Sequence, residues 1–197
     1  MGVGRHREFD KSEALREAMA VFWLHGYNAT SMTHLTEAMG INKPSLYAAF
    51  GNKEKLFIAA IERYASEFAS PQLAQLTADG LELRQRVRGF LTSVARLVTN
   101  PDLAGGCFIA ASTSEMNGDG LPPQAASAVS EINAGSTDTL VAFFRDEQQR
   151  GNLGEKASPE ALADYLRVLQ NGLAVMARDK VSLDRLERLI DQAVLNF

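Results

Sequence analysis

Apolar residues recur at intervals of three and four along nearly the whole chain, whereas the strict alternation of a β-strand is missing. This spacing places apolar side chains on one face of a helix. The pattern therefore predicts an all-α protein. Its clearest long helices run from Asp10 to Gly26, from Leu83 to Val98 and from Gln124 to Arg150.

Two short helices follow the first one. Gly26 is suited to the left-handed conformation that stops the first helix, and the second helix covers about Met32 to Met39 and is ended by Gly40. Asn42 then caps a third helix, about Pro44 to Phe50, whose proline lies in the first turn, where a missing N–H costs little. Two short helices joined by a glycine turn and braced by a longer one form a helix-turn-helix.

The third helix is short but amphipathic. Leu46 and Phe50 lie four residues apart and face inward, which leaves Lys43, Ser45 and Tyr47 facing outward. Ammonium, hydroxyl and phenol groups are hydrogen-bond donors that meet phosphate oxygens or base edges. The pattern predicts a helix that enters the major groove of DNA, which is about 12 Å wide.

The run GYNATSMTHLTEAMGINKPSLYAAFGNKEKLF, residues 26–57, resembles the DNA-binding signature of the TetR family of bacterial transcription regulators. In that family the third helix enters the major groove, and the lysine that opens the fourth helix contacts a phosphate. Three positions depart from the family pattern: Thr36 stands where alanine is usual, Pro44 where glycine is often found, and Ala49 where histidine or tyrosine is often found. The resemblance implies the following DNA-binding residues: Thr30, Ser31, Asn42, Lys43, Pro44, Ser45, Tyr47 and Lys53.

The resemblance also implies two domains. Residues 1–56 are expected to form the helix-turn-helix DNA-binding domain, and residues 57–197 a helical ligand-binding and dimerisation domain. A fourth helix is expected to run to about Ser70, where Ser70-Pro71 breaks it. Ser158 and Ser182 are expected to cap the last two helices.

The last two helices each have an apolar stripe. One stripe comprises Leu162, Leu166, Leu169, Leu173 and Met176, and the other Leu183, Leu186, Leu189, Ile190 and Val194. Each stripe taken alone is typical of internal core packing. The resemblance instead implies a two-fold, four-helix interface between two identical chains, and thus a homodimer.

The family resemblance implies a pocket for an unknown small-molecule effector inside the middle helices. Its expected lining is Phe90, Val94, Cys107, Phe108, Met116, Phe143 and Asn171. Plain core packing is the alternative for each of them. Cys107 has two interpretations, a reactive sensor of oxidants or electrophiles and an inert buried thiol, and the lack of an adjacent basic residue favours the second.

Charge is distributed unevenly along the chain. The formal net charge is −4, but residues 1–56 contain seven Lys or Arg against six acids, a net charge of +1. Basic residues therefore concentrate at the end that is expected to meet DNA. Arg5 and Arg7 at the extreme terminus fit either a basic arm or a frayed end.

Several classes of protein are disfavoured. Hydrophobic residues make up 46% of the 197 residues, which is ordinary for a globular chain, and no apolar run approaches the roughly 20 residues of a membrane helix. We therefore expect a cytoplasmic protein without a membrane partner. One cysteine and three scattered histidines have no metal-ligand spacing, and no set of catalytic residues is found, so we expect no metal, no cofactor and no enzyme activity.

The sequence thus predicts a ligand-responsive transcriptional regulator. The resemblance implies a repressor, because repression is typical of the family. It is expected to bind a near-palindromic double-stranded DNA operator as a homodimer. Two alternatives stay open at this point, an enzyme on a helical bundle and a ligand-binding or partner-binding module with a vestigial helix-turn-helix.

Overall fold

The computed structural model describes residues 9–78, 80–116 and 120–197, and within these ranges the chain is helical without a β-strand. This confirms the predicted all-α class. No helix in these ranges is long and apolar enough to cross a membrane. Arg5 and Arg7 lie outside the described residues. The helices are α1 Lys11–Ala29, α2 Met32–Met39, α3 Lys43–Phe50, α4 Lys53–Tyr64, α5 Ser70–Leu73, α6 Leu83–Val98, α7 Phe108–Ser114, α8 Pro123–Gln149, α9 Pro159–Arg178 and α10 Leu183–Ala193.

Side-chain caps fix the starts of three helices where the sequence predicted them. The Asp10 carboxylate accepts hydrogen bonds from two backbone N–H groups in the first turn of α1, at 2.8 and 3.2 Å. The hydroxyl oxygens of Ser158 and Ser182 each accept one such bond, at 3.1 and 3.4 Å. Each cap satisfies N–H groups that have no partner within the helix.

The predicted break at Ser70-Pro71 is wrong. α4 passes into a wider, π-type turn over Ala65–Ala69, and α5 begins at Ser70 with Pro71 in its first turn. A proline in a first turn forfeits no helical hydrogen bond, because the N–H groups there have no partner within the helix. The helical path therefore continues past the proline to a 3₁₀ turn, Ala74–Thr77.

One hydrophobic core joins the first four helices to the middle of the chain. The Phe57 ring on α4 packs edge-on against Phe22 and Tyr27 of α1, with centroid distances of 5.2 Å each, and against Phe108 of α7 at 5.6 Å. The same core includes three residues at and near the start of α8, namely Leu121, Ala125 and Val129.

The predicted domain boundary at residue 56 lies within α4, where the packing is continuous. Leu56 and Phe57, on either side of it, are both fully buried. The carboxylate of Glu54 accepts hydrogen bonds from the backbone N–H groups of Gln124 and Ala125, at 3.1 and 3.4 Å, at the start of α8. A carboxylate is favourable at a helix N-terminus. The first four helices therefore pack directly on the rest of the chain.

A second core lies between α6, α8, α9 and α10, and it contains the two apolar stripes of the last helices. Leu166 and Leu173 of α9 and Leu186 and Ile190 of α10 are buried in it. Val194 is also buried in it, and the other stripe residues pack against it partly buried, namely Leu162, Leu169, Met176, Leu183 and Leu189. Their own chain therefore covers half of the stripe residues fully and the other half only in part, and the use of the partly buried ones as a surface for a second chain stays a prediction.

We expect Phe57→Ala to lower the free energy of unfolding by about 3–5 kcal/mol, because it leaves a cavity between α1, α4 and α7. Urea denaturation followed by circular dichroism measures this loss. Leu24→Ala is the control, since Leu24 is 59% exposed and its truncation should change stability by less than about 0.5 kcal/mol. Equal stability of the two variants would contradict the shared core.

Candidate nucleic-acid interface

A sharp turn of three residues separates α2 from α3. Gly40 has a left-handed conformation, with φ 64° and ψ 26°, which glycine adopts without the steric cost of a Cβ atom. The Asn42 side chain then accepts a hydrogen bond from the N–H of Ser45 at 2.9 Å and so caps α3. Two eight-residue helices therefore meet at a tight turn, which confirms the predicted helix-turn-helix.

α3 is anchored by only two buried side chains, Leu46 and Phe50. Its opposite side faces solvent, and there Tyr47 remains 48% exposed although it is a large aromatic residue. The other predicted contact residues of this helix also reach the surface: Asn42, Lys43 and Pro44 are exposed, and Ser45 is half-buried. The structure therefore brings the predicted α3 residues together on one surface.

The dimensions of α3 suit the major groove of DNA. A helix of eight residues is about 12 Å long, which is close to the groove width of about 12 Å. Lys43 and Tyr47 lie four residues apart and share one face. Ala48 beside them is small and exposed, so the helix can approach the bases closely. This surface can donate hydrogen bonds to phosphate oxygens and to base edges.

Lys53, the predicted phosphate contact, opens α4 beside the end of α1. Its Nζ lies 4.2 Å from the centroid of the Tyr27 ring, which is a cation–π distance. Burial lowers the pKa of Lys53, and the negative charge of Glu115 acts in the opposite direction. A half-buried ammonium interacts more strongly with a phosphate than a fully hydrated one does, because the effective dielectric constant around it is lower.

Thr30 and Ser31 precede α2 and differ in their exposure. Thr30 is only 1% exposed, and its hydroxyl donates a hydrogen bond to the carbonyl oxygen of Gly26 at 2.6 Å. The prediction of a DNA contact through the Thr30 side chain is therefore wrong. Ser31 is exposed, and its hydroxyl oxygen accepts a hydrogen bond from the N–H of His34 at 3.0 Å, which caps α2.

A cavity of about 270 Å³ lies between the end of α4, α5, the start of α7, α8 and α9. Cys107 and Asn171, two of the residues predicted to bind the effector, line it. The rest of its wall includes residues that the sequence analysis missed, among them the apolar Ile109, Ala110 and Ile132 and the polar Asn133, Arg167 and Gln170. The wall thus combines an apolar side with amide and guanidinium groups.

Five predicted ligand residues do not line this cavity. Phe90, Val94 and Phe108 are 0%, 2% and 1% exposed and lie inside the two cores, so their helical spacing reflects core packing. Phe143 lines a separate cavity beside α5, α6 and α8. Met116 packs, partly buried, against the first core. The prediction of these residues as walls of one common pocket is wrong.

Tyr64 also contributes to the cavity wall, next to Cys107. Burial raises the pKa of Tyr64 well above its ordinary value, and the adjacent Cys107 side chain raises it further. The phenol therefore stays protonated at neutral pH, and the cavity contains a neutral hydroxyl beside the half-buried thiol.

Two charged residues at the junction of α1 and α2 also escaped the sequence analysis. Glu115, just after α7, accepts a hydrogen bond from the backbone N–H of Tyr27 at 2.9 Å. Arg178, at the end of α9, donates one to the carbonyl oxygen of Trp23 at 3.3 Å. These partners are 88 and 155 residues apart along the chain, so no local pattern indicates the contacts.

The exposed polar face of α3, its glycine turn and the lysine beside it define a DNA-binding protein of the helix-turn-helix class. Residues 14–60 match the family described as "Bacterial regulatory proteins, tetR family", and residues 84–193 match "Tetracyclin repressor-like, C-terminal domain". The chain belongs to the TetR family. It is a transcriptional regulator and not an enzyme.

Named relatives agree with this placement. The chain is 33% identical to the HTH-type transcriptional repressor ComR of Escherichia coli (strain K12) over 186 residues, which cover 94% of this chain and 88% of ComR. It is 29% identical to the HTH-type transcriptional repressor BdcR of the same organism over 184 residues, 93% of this chain and 86% of BdcR.

A solved structure extends the likeness to the whole fold. A cysteine mutant of the TetR family transcriptional regulator CifR, complexed with 26-bp double-strand operator DNA, superimposes with a TM-score of 0.82. The two chains are 31% identical, and the match covers 96% of this chain and 98% of CifR.

We expect Lys53→Ala to weaken binding to all duplexes alike, by about tenfold near 0.1 M salt, because the predicted phosphate contact would be lost. Titrations at several salt concentrations should show the slope of log K against log salt reduced by about 1. Lys55→Ala removes the same charge from an exposed position on α4 and serves as the control. If Lys53→Ala and the wild type had the same slope of log K against log salt, Lys53 would not contact a phosphate.

We expect Lys43→Ala to alter sequence preference, because Lys43 is exposed on the side of α3 that we predict to meet the bases. The free-energy difference between preferred and altered sites should shrink by about 1–3 kcal/mol. Competition binding with single base-pair variants measures this difference. Unchanged discrimination at every position would place Lys43 outside the base contacts.

Proposed function

We propose that this chain is a ligand-responsive repressor that binds a near-palindromic operator as a homodimer and is released by a small-molecule effector. Its place of action is the bacterial cytoplasm, where operator DNA lies. ComR and BdcR are described as repressors, which supports repression as the direction of control.

The observation on which the DNA-binding part depends is the solvent-facing side of α3. Lys43 and Tyr47 are exposed on a helix that is anchored by only two residues. A large aromatic residue and a lysine at such positions add little to folding, and their chemistry suits DNA. The proposed DNA contacts are Ser31, Asn42, Lys43, Pro44, Ser45, Tyr47 and Lys53.

A single short helix makes too few contacts for specific binding with a Kd of roughly 10⁻⁸ to 10⁻¹¹ M. A two-fold pair of chains presents two such helices, about 34 to 36 Å apart, to two operator half-sites. The surface that we propose for pairing is on α9. Val168 and Val175 are each 67% exposed there, and Gly172 lies between them on the same face with open space around it.

The proposed effector site is the cavity between α4, α5, α7, α8 and α9. Cys107 and Asn171 form part of its wall, with Arg167 and Gln170 beside them. Apolar groups together with a guanidinium and amides suit a small molecule that has an apolar body and a polar or anionic group. Such a molecule releases DNA only if it binds the released state more tightly than the DNA-bound state.

Selection of bound duplexes from random DNA tests this proposal. We expect a near-palindromic motif whose half-sites are related by two-fold symmetry, and an affinity that falls steeply with salt, because several phosphates are neutralised. A protein that retains no duplex even at low salt would instead be a ligand-binding or partner-binding module with a vestigial helix-turn-helix.

We expect Val168→Glu to convert the dimer to a monomer and to weaken operator binding strongly, because the interface would have to bury an unpaired carboxylate. Sedimentation at micromolar concentration measures the mass. Leu81→Glu is the control, since Leu81 is also exposed, at 44%, but lies before α6. A Val168→Glu variant that remains dimeric would contradict the use of this face of α9.

A further inference from the structure

The backbone of α1 is interrupted close to its end. Gly26 has φ 76° and ψ 177°, which are not helical values. In an uninterrupted helix the N–H of Tyr27 would bond to the carbonyl oxygen of Trp23, four residues earlier. The interruption separates these two groups, and a buried polar group without a partner is costly.

Two charged side chains from distant helices replace this lost hydrogen bond. Glu115 accepts the bond from Tyr27 N–H at 2.9 Å, and Arg178 donates to the Trp23 carbonyl oxygen at 3.3 Å. Hydrogen bonds to ionised groups are stronger than those between neutral groups. At the interruption, α1 is therefore held by residues that follow α7 and end α9, in addition to the local bond from Thr30 to Gly26.

Gly26 has a second role at this contact. A Cβ atom at this position would lie 1.8 Å from Oε1 of Glu115, far closer than any real contact. The glycine thus permits the positive φ and also leaves room for the carboxylate. The carboxylate of Glu115 therefore fits only beside a glycine, and the interrupted backbone at Gly26 needs the carboxylate as a hydrogen-bond partner.

The contact lies next to the DNA-binding groups. The Tyr27 ring is 4.2 Å from Nζ of Lys53, and Ser31, which caps α2, follows four residues after Tyr27. Fixing the backbone of Tyr27 therefore fixes the position of the first residue of α2 and of the aromatic ring that Lys53 contacts. Ile109 and Ala110 of α7 border the cavity, and Glu115 follows the same seven-residue helix, so a shift of α7 moves the carboxylate.

We propose that Glu115 is a positioning residue for DNA binding. It holds the segment from Gly26 to Ser31, which joins α1 to α2, and thereby keeps α2 and α3 in the orientation that binds DNA. This inference rests on the proposed function. It assigns Glu115 no contact with DNA. Its effect passes through the hydrogen bond to Tyr27, so an uncharged acceptor oxygen at the same place should retain most of it.

The test compares Glu115→Ala with Glu115→Gln. The probe is a duplex recovered from random DNA with the wild-type protein. Glu115→Ala should speed hydrogen exchange of the Tyr27 amide and weaken duplex binding by about tenfold, because the competent geometry is less populated. The salt slope should not change, since no phosphate contact is lost. Glu115→Gln retains an acceptor oxygen and should bind several-fold more tightly than Glu115→Ala.

A purely electrostatic effect predicts the opposite sign, because removal of an acid near a phosphate contact strengthens DNA binding. Glu62→Ala, which removes an exposed acid from α4, measures that background. Stoichiometric titration with excess duplex should give the same active fraction for every variant, which excludes partial unfolding. Wild-type affinity in Glu115→Ala, or equal losses in the Ala and Gln variants, would overturn the inference. A wild-type protein that binds no duplex would instead refute the proposed function.

Discussion

The packing of the Phe57 ring between α1 and α7 is the contact on which the position of the DNA-binding helices depends. Phe22, Tyr27 and Phe108 all meet this ring, so one cluster of buried and half-buried aromatic side chains belongs to both halves of the chain. Interiors of this kind are close-packed and resist gradual deformation. The helix pair α2–α3 is therefore connected to α7 and α8 through the packed helices α1 and α4 and not through a loose linker.

Polar contacts complement this apolar attachment. Apolar burial is non-directional and by itself would permit small rotations of α1 on α7. The hydrogen bonds of Glu54, Glu115 and Arg178 are directional, and each meets a backbone group at a helix end or interruption. Hydrophobic burial thus provides most of the attachment energy, while the charged groups select one orientation. The cavity borders the same helix α7, so its occupancy and this orientation share a structural element.

Local chemistry was sufficient to predict the helices and the turn between α2 and α3, because caps such as Asp10 and Asn42 act on neighbours within three residues. The lining of the cavity could not be predicted in this way. Phe90 has the same helical spacing as a pocket residue would have. Periodicity indicates only which helix face points inward, and not whether that face packs against other side chains or borders a cavity. The predicted DNA contact of Thr30 was wrong for a related reason, because the burial of this side chain depends on the interruption of α1 at Gly26.

The solvent-facing side of α3 contributes almost nothing to the two cores. Leu46 and Phe50 anchor the helix, whereas Lys43 and Tyr47 face outward. With the proposed DNA contacts, folding depends on one set of residues of this short segment and sequence preference on another. During evolution, a duplicated copy of such a gene can acquire a new operator through single substitutions on this side, without passing through unstable intermediates. The residues beneath the helix do not have this freedom.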